Sequence, residues 1–240
     1  MNKSEARRRI DELGIVACAR VDLLKHIAFA CETLYSAGIP VVEIALTSLE
    51  AEDAIADLAN RFPDMVVGAG TVLDADSARR CVDAGARFLT SPGLVPEVVA
   101  YAKSADVTVL PGALTPTEII AAWKGGADFV KIFPTSSVGG PNYIRALKVP
   151  LPQIPLIVTG GVNQSTAFDF ILAGASAIGL GAELLPKEAI LYRQGKRIHE
   201  LARRFLNAVK EARAQLESRQ GVFSIACSEP EPSLQVYSAG

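Results

Sequence analysis

Short runs of β-branched and apolar residues alternate with segments of helical length along most of this chain. The pattern predicts eight strands: "GIVACARV" (14–21), "VVEIAL" (41–46), "MVVGAGTV" (65–72), "RFLTSPG" (87–93), "VTVLPGAL" (107–114), "DFVKIFP" (128–134), "PLIVTGG" (155–161) and "AIGLGAELL" (177–185). Between them lie segments such as "DLLKHIAFACETLYSAG" and "DADSARRCVDAG", several ending in Ala-Gly, a suitable helix C-cap. Asp74, Thr115 and Ser165 can cap helix starts. Eight strands, each followed by a helix, predict an α/β fold of the (β/α)8 TIM-barrel kind over residues 1–190. An open doubly wound sheet is the alternative.

Beyond the eighth strand, 192–219 reads as one long amphipathic helix. Ile198, Leu201, Phe205, Val209 and Leu216 form its apolar stripe, so a helical segment over 191–220 is expected to pack on or extend the barrel. From 221 the composition shifts to Ser, Pro, Glu and Gly. That shift predicts a flexible tail over 221–240, or an arm ordered on a neighbouring subunit.

Composition narrows the function. The 240 residues are 50% hydrophobic, enough for one substantial core, and the formal net charge of -2 offers no basic surface for nucleic acid. No apolar run has the length of a membrane span, and "MNKSEARRRIDELG" lacks an apolar signal core, so a cytoplasmic location is expected. Cys18, Cys31, Cys81 and Cys227 form no CxxC pair and read as reduced thiols, not as disulfides or a zinc site. His26 and His199 fall in predicted helices away from the strand tops, and Trp123 falls in the helix after the fifth strand. The run "RRR" (7–9) alternates with acids and is expected to face solvent.

The sixth strand holds an anomaly. Lys131 sits among Phe129, Val130, Ile132 and Phe133, where an unpaired ammonium is costly. Strand parity sends Val130 and Ile132 to the helices and Lys131 into the barrel; in the second strand, Val42, Ile44 and Leu46 face outward and Glu43 inward. Active sites of such barrels gather at the C-terminal strand ends. There Thr71 tops the third strand and Arg20 the first. Lys131 and Glu43 could form a structural ion pair. The same geometry also suits chemistry, because a desolvated amine can attack a ketone to form a Schiff base while a carboxylate carries protons. Gly-rich turns follow the last two strands, "TGGV" (159–162) and "GLGAE" (179–183). They make either tight turns or a backbone phosphate site.

"EIALTS", "GAGTV", "TSPG", "PGALTPTE", "KIFPTSS", "TGGV" and "GLGAELL" occur in order at barrel spacing. Together they resemble the 2-keto-3-deoxy-6-phosphogluconate / 4-hydroxy-2-oxoglutarate class I aldolases, with features similar to the 2-keto-3-deoxy-6-phosphogalactonate aldolases. The resemblance covers residues 10–186. It implies a TIM barrel, a homotrimer, and no metal or organic cofactor. It implies Lys131 as the Schiff-base lysine and Glu43 as the proton-shuttling carboxylate. Thr71 would contact the pyruvate-derived part, Gly160, Gly161 and Gly181 would hold the phosphate, and Pro92 and Phe133 would wall the pocket. Many phosphogluconate members carry an arginine near the substrate carboxylate where this chain has Thr47; the resemblance implies Thr47 as a substrate-binding residue there, with Arg20 expected to take over the carboxylate.

The expected reaction is cleavage of a 2-keto-3-deoxy-6-phospho sugar acid to pyruvate and glyceraldehyde 3-phosphate. Three rivals stand beside it. The first is cleavage of unphosphorylated 4-hydroxy-2-oxoglutarate to pyruvate and glyoxylate. The second is an isomerase or epimerase using Glu43 as base, and the third a non-catalytic trimeric scaffold or sugar-acid sensor.

Overall fold

The structure is a computed structural model that describes residues 1–21 and 23–226. Nine strands form one parallel sheet: β1 (Ile15–Ala19), β2 (Val41–Ala45), β3 (Val66–Gly70), β4 (Phe88–Thr90), β5 (Thr108–Leu110), β6 (Gly112–Ala113), β7 (Val130–Ile132), β8 (Leu156–Thr159) and β9 (Ala177–Leu180). Their order is β5-β4-β3-β2-β1-β9-β8-β7-β6. Pro111 alone separates β5 from β6, and a proline has no N–H to give a ladder. The two pieces act as one strand. β5 pairs with β4, while the carbonyls of Val109, Pro111 and Ala113 accept from Asp128, Lys131 and Phe133 on the other side. The sheet therefore closes on itself as an eightfold barrel, as the cadence of the chain predicts.

Alternation along each strand divides the apolar residues into two cores. One lies between barrel and helices and includes Val42, Ile44, Val130 and Ile132. The other fills the lower barrel interior with Val16, Val41, Val66, Phe88, Leu110, Phe129, Ile157 and Ala177. Helix α1 (Lys3–Leu13) closes the bottom by adding Ala6 and Ile10 to this inner cluster. Sequence reading left α1 unassigned because its pattern is dominated by charge. Arg8 pairs with Glu5 and Glu12 in solvent, whereas the Arg7 guanidinium lies 5.8 Å from the Phe129 ring centroid.

Of the expected caps, Asp74 accepts from Ser77 N, and Thr115 forms a capping box with Glu118 at the start of α6 (Pro116–Gly125). Ser165 does not cap. The turn before α8 (Ala167–Leu172) is held instead by the Asn163 side chain, which accepts from the backbone of Ser165 and Thr166. The Ala-Gly helix ends at Gly38, Gly85 and Gly174 all take positive φ. Helix α9 (Lys187–Leu191) precedes α10 (Gly195–Ala226), which packs on α8 and α2 (Leu24–Ser36). Ile198, Phe205 and Val209 are buried, with Leu201 and Leu216 packed at their edge. Arg213 ties α10 to the barrel base by donating to the carbonyls of Asp11, Glu12 and Ser176. The helix continues through Gly221, where a tail was expected, to Ala226; the rest of that expected tail, 227–240, lies outside the described residues.

Candidate active site

Lys131 is placed by β7. Its neighbours Val130 and Ile132 anchor the strand in the outer core, so the lysine points inward, one layer above Phe129. Its side chain is 11% exposed and that of Glu43 6%. Nζ lies 3.6 Å from Glu43 Oε2 and 3.3 Å from Thr90 Oγ1, to which it donates. At 3.6 Å the pair is a loose contact, not a tight bidentate lock. The Phe133 ring centroid lies 6.0 Å from Nζ and covers it from above. Phe133 is itself 37% exposed, so this wall stands at the opening of the barrel.

The room for these groups comes from glycines. Register places Glu43 opposite Cys18 on one side and Gly68 on the other, while Gly70 caps β3. A Cβ on Gly70 would lie 2.1 Å from Glu43 Oε1, so a side chain there would evict the carboxylate. Across the barrel, a Cβ on Gly112 would meet the Pro92 carbonyl oxygen at 2.2 Å. Pro92 thus sits in the turn above β4, packed over β6.

Thr71 follows Gly70 with φ +60, a left-handed conformation that a β-branched residue rarely takes and that costs about 1–3 kcal/mol. Backbone bonds from Leu46 N to Gly70 O and from Val72 N to Thr90 O bracket it. This left-handed residue stands at the top of β3, next to the Gly70 that gives Glu43 its space.

Beside the lysine, at the ends of β1, β8 and β9, opens a cavity of about 450 Å³. Gly160 and Gly161 line it with φ +82 and +88, and Gly181 faces it with open space where a side chain would stand. Gly160 connects this cavity to the lysine, since a Cβ on it would lie 3.1 Å from the Phe133 ring. Arg20 and Lys187 are exposed on the same cavity, and the half-buried Cys18 also lines it. Thr47 is exposed on the turn after β2 and is not among the residues that line it.

Four residues of this arrangement do not stand out in the sequence. Thr90 and Cys18 share the inward parity of Phe88 and Val16, which would have found them. Gly70 was noticed as part of a motif without its role as the space beside Glu43. Lys187, the first residue of α9, follows the last glycine turn, and a cation at that place is itself a phosphate signal. Among the described residues, no group of His, Cys, Asp and Glu is arranged to hold a metal ion, and no helix is long and apolar enough to cross a membrane.

A buried lysine facing a carboxylate at the C-terminal mouth of a (β/α)8 barrel, beside a glycine-lined cavity, defines a barrel lyase of the Schiff-base class. Residues 6–201 match the family described as KDPG and KHG aldolase, and the chain belongs to that family. It is 35% identical over 181 residues to the 2-dehydro-3-deoxy-6-phosphogalactonate aldolase of Escherichia coli (strain K12), covering 73% of this chain and 84% of that protein. Among solved structures, it superposes with a TM-score of 0.81 and 32% identity on a chain of a cube-shaped, highly porous protein cage designed by fusing symmetric oligomeric domains. That match covers 90% of this chain and 78% of the other. It superposes with a TM-score of 0.76 and 29% identity on the KDPG aldolase of Legionella pneumophila with pyruvate captured at low pH as a covalent carbinolamine, covering 82% and 96%.

Proposed function

We propose that this enzyme is a class I aldolase cleaving a 2-keto-3-deoxy-6-phospho sugar acid, of the phosphogluconate or phosphogalactonate type, to pyruvate and glyceraldehyde 3-phosphate. The observation that carries the reading is the Lys131 Nζ to Glu43 Oε2 approach of 3.6 Å at the barrel mouth. The free amine of Lys131 attacks the C2 ketone, and Glu43 relays protons as the carbinolamine loses water to an iminium. Glu43 then takes the C4 hydroxyl proton. The C3–C4 bond breaks, its electrons pass to the iminium as an enamine, and the aldehyde leaves. Protonation at C3 and hydrolysis give pyruvate and return the free lysine.

Thr71 and Arg20 contact the keto-acid end in this scheme, Thr47 lies outside it, and Pro92 and Phe133 enclose the chain of the substrate. The backbone of Gly160, Gly161 and Gly181 takes the phosphate, with Lys187 adding charge. Supporting this division, the glycine cavity is lined by Cys18, which contacts Glu43, while Lys131 itself is not part of its lining. The enzyme works without metal or organic cofactor in the cytoplasm and assembles as a homotrimer. The similarity to a symmetric oligomeric domain and the exposed Leu49 and Leu73 support assembly.

Borohydride reduction in the presence of pyruvate tests the chemistry. A stable mass adduct on Lys131 is expected, with no adduct and no turnover for Lys131→Ala or for Lys131→Arg, whose guanidinium stays protonated. A wild-type enzyme that yields no adduct would sink the reading and favour an isomerase. Cleavage of 4-hydroxy-2-oxoglutarate to pyruvate and glyoxylate is the second reading, because the same lysine serves both. Turnover compared with and without the 6-phosphate separates them, and the two C4 epimers compared side by side assign the stereochemistry.

A further inference from the structure

The proposed mechanism works through the Glu43 oxygen presented to Lys131, so it depends on the rotation at which the carboxylate is held. The terminal torsion of a glutamate is broad and gives no preference of its own. Burial leaves little water as an alternative partner, and Gly70 leaves open the space that Oε1 occupies. Within that space one donor meets the oxygen. Cys18 Sγ lies 3.4 Å from Oε1, and it is the one side-chain hydrogen bond to this carboxylate among the described residues. Register accounts for the meeting: Cys18 and Glu43 are direct partners across β1 and β2, both facing the barrel interior.

We propose that Cys18 is a positioning residue, whose thiol pins Glu43 Oε1 so that Oε2 is presented to Lys131. This inference rests on the aldolase reading above. The pin requires the thiol to keep its proton. Burial first, and the Glu43 charge second, push the Cys18 thiol well above its ordinary range, which keeps it a donor at working pH. An S–H is a weak donor, but its acceptor here is a buried carboxylate, and hydrogen bonds to charged groups are the stronger class.

Three variants separate the bond from the space it fills. Cys18→Val fills the site without a donor, Cys18→Ser keeps a donor, and Cys18→Ala supplies a second donor-free variant should valine crowd the barrel. The valine and alanine variants are expected to lose about 3- to 10-fold in kcat with KM within about twofold of wild type, and serine to retain most of kcat. Melting temperatures measured alongside read out folding. Equal kcat in wild type and the valine variant would overturn the proposal. Equal losses in the serine and valine variants would also overturn it, because shape and not the donor would then matter. Pyruvate trapping of the wild type is run in parallel, so failure of the aldolase reading shows there and stays distinct from failure of the pin.

Discussion

Two residues of one strand face divide the barrel into halves. Phe129 points into the lower interior and Lys131, two positions on, into the upper. Below, the interior is filled by Val16, Val41, Val66, Phe88, Leu110, Phe129, Ile157 and Ala177, and α1 seals the end with Ala6 and Ile10. Above, the layer is Cys18, Glu43, Thr90 and Lys131, with glycines at 70, 112 and 179 where the strands could have carried bulk. The backbone is the same in both halves, so only side-chain volume and polarity differ. A barrel can therefore leave one end imperfectly filled and partly charged, because the other end carries the packing. The strain at Thr71 is borne in the same way.

The sharpest break in the comparison is Glu43→Gln. The amide keeps the shape and can still accept from Cys18, but it cannot take a proton at the working pH. Turnover is expected to fall by about 10²–10⁴-fold, with the far-ultraviolet circular dichroism of the wild type retained. A loss below tenfold would remove Glu43 from the proton relay and leave it a structural partner of the lysine.

Phe129→Ala probes the lower half. The ring is 1% exposed and covered by Arg7, so its deletion leaves a cavity in the inner core. A stability loss of about 3–5 kcal/mol by denaturant titration is expected. Turnover per folded molecule at low temperature should stay within a few-fold of wild type. If activity is lost while the fold persists, the two halves are coupled and the division proposed here fails.

These halves were unequally legible in the sequence. Alternation in "VVEIAL" and "DFVKIFP" is enough to send Glu43 and Lys131 inward, and the structure brings them to 3.6 Å. The eightfold cadence likewise survives, with Pro111 interrupting one strand that the pattern reads as continuous. Other features were hidden for physical reasons. A charged helix that buries only Ala6 and Ile10 shows almost no apolar stripe, so α1 was missed. The role of Gly70 is a distance between two strands, which no local pattern carries. Ser165 has the side chain of a cap, yet Asn163 reaches the same N–H groups from two residues earlier. Thr47 draws attention only because relatives differ there; it is exposed on the turn after β2, where strand parity no longer applies.

The smallest expected effect lies at the rim of the upper half. Lys187 opens α9 on the wall of the glycine cavity, where it would add charge to the phosphate site proposed at Gly160, Gly161 and Gly181. The residue is exposed, so water competes for the anion and the contribution stays modest. Lys187→Ala is expected to raise KM for a 6-phosphorylated substrate by about 3- to 10-fold and leave KM for 4-hydroxy-2-oxoglutarate unchanged. Pyruvate trapping on Lys131 should proceed at the wild-type rate, because pyruvate has no phosphate to lose. A parallel rise for both substrates would mean that Lys187 shapes the mouth as a whole. No rise for either would return the phosphate entirely to the backbone of the glycine turns.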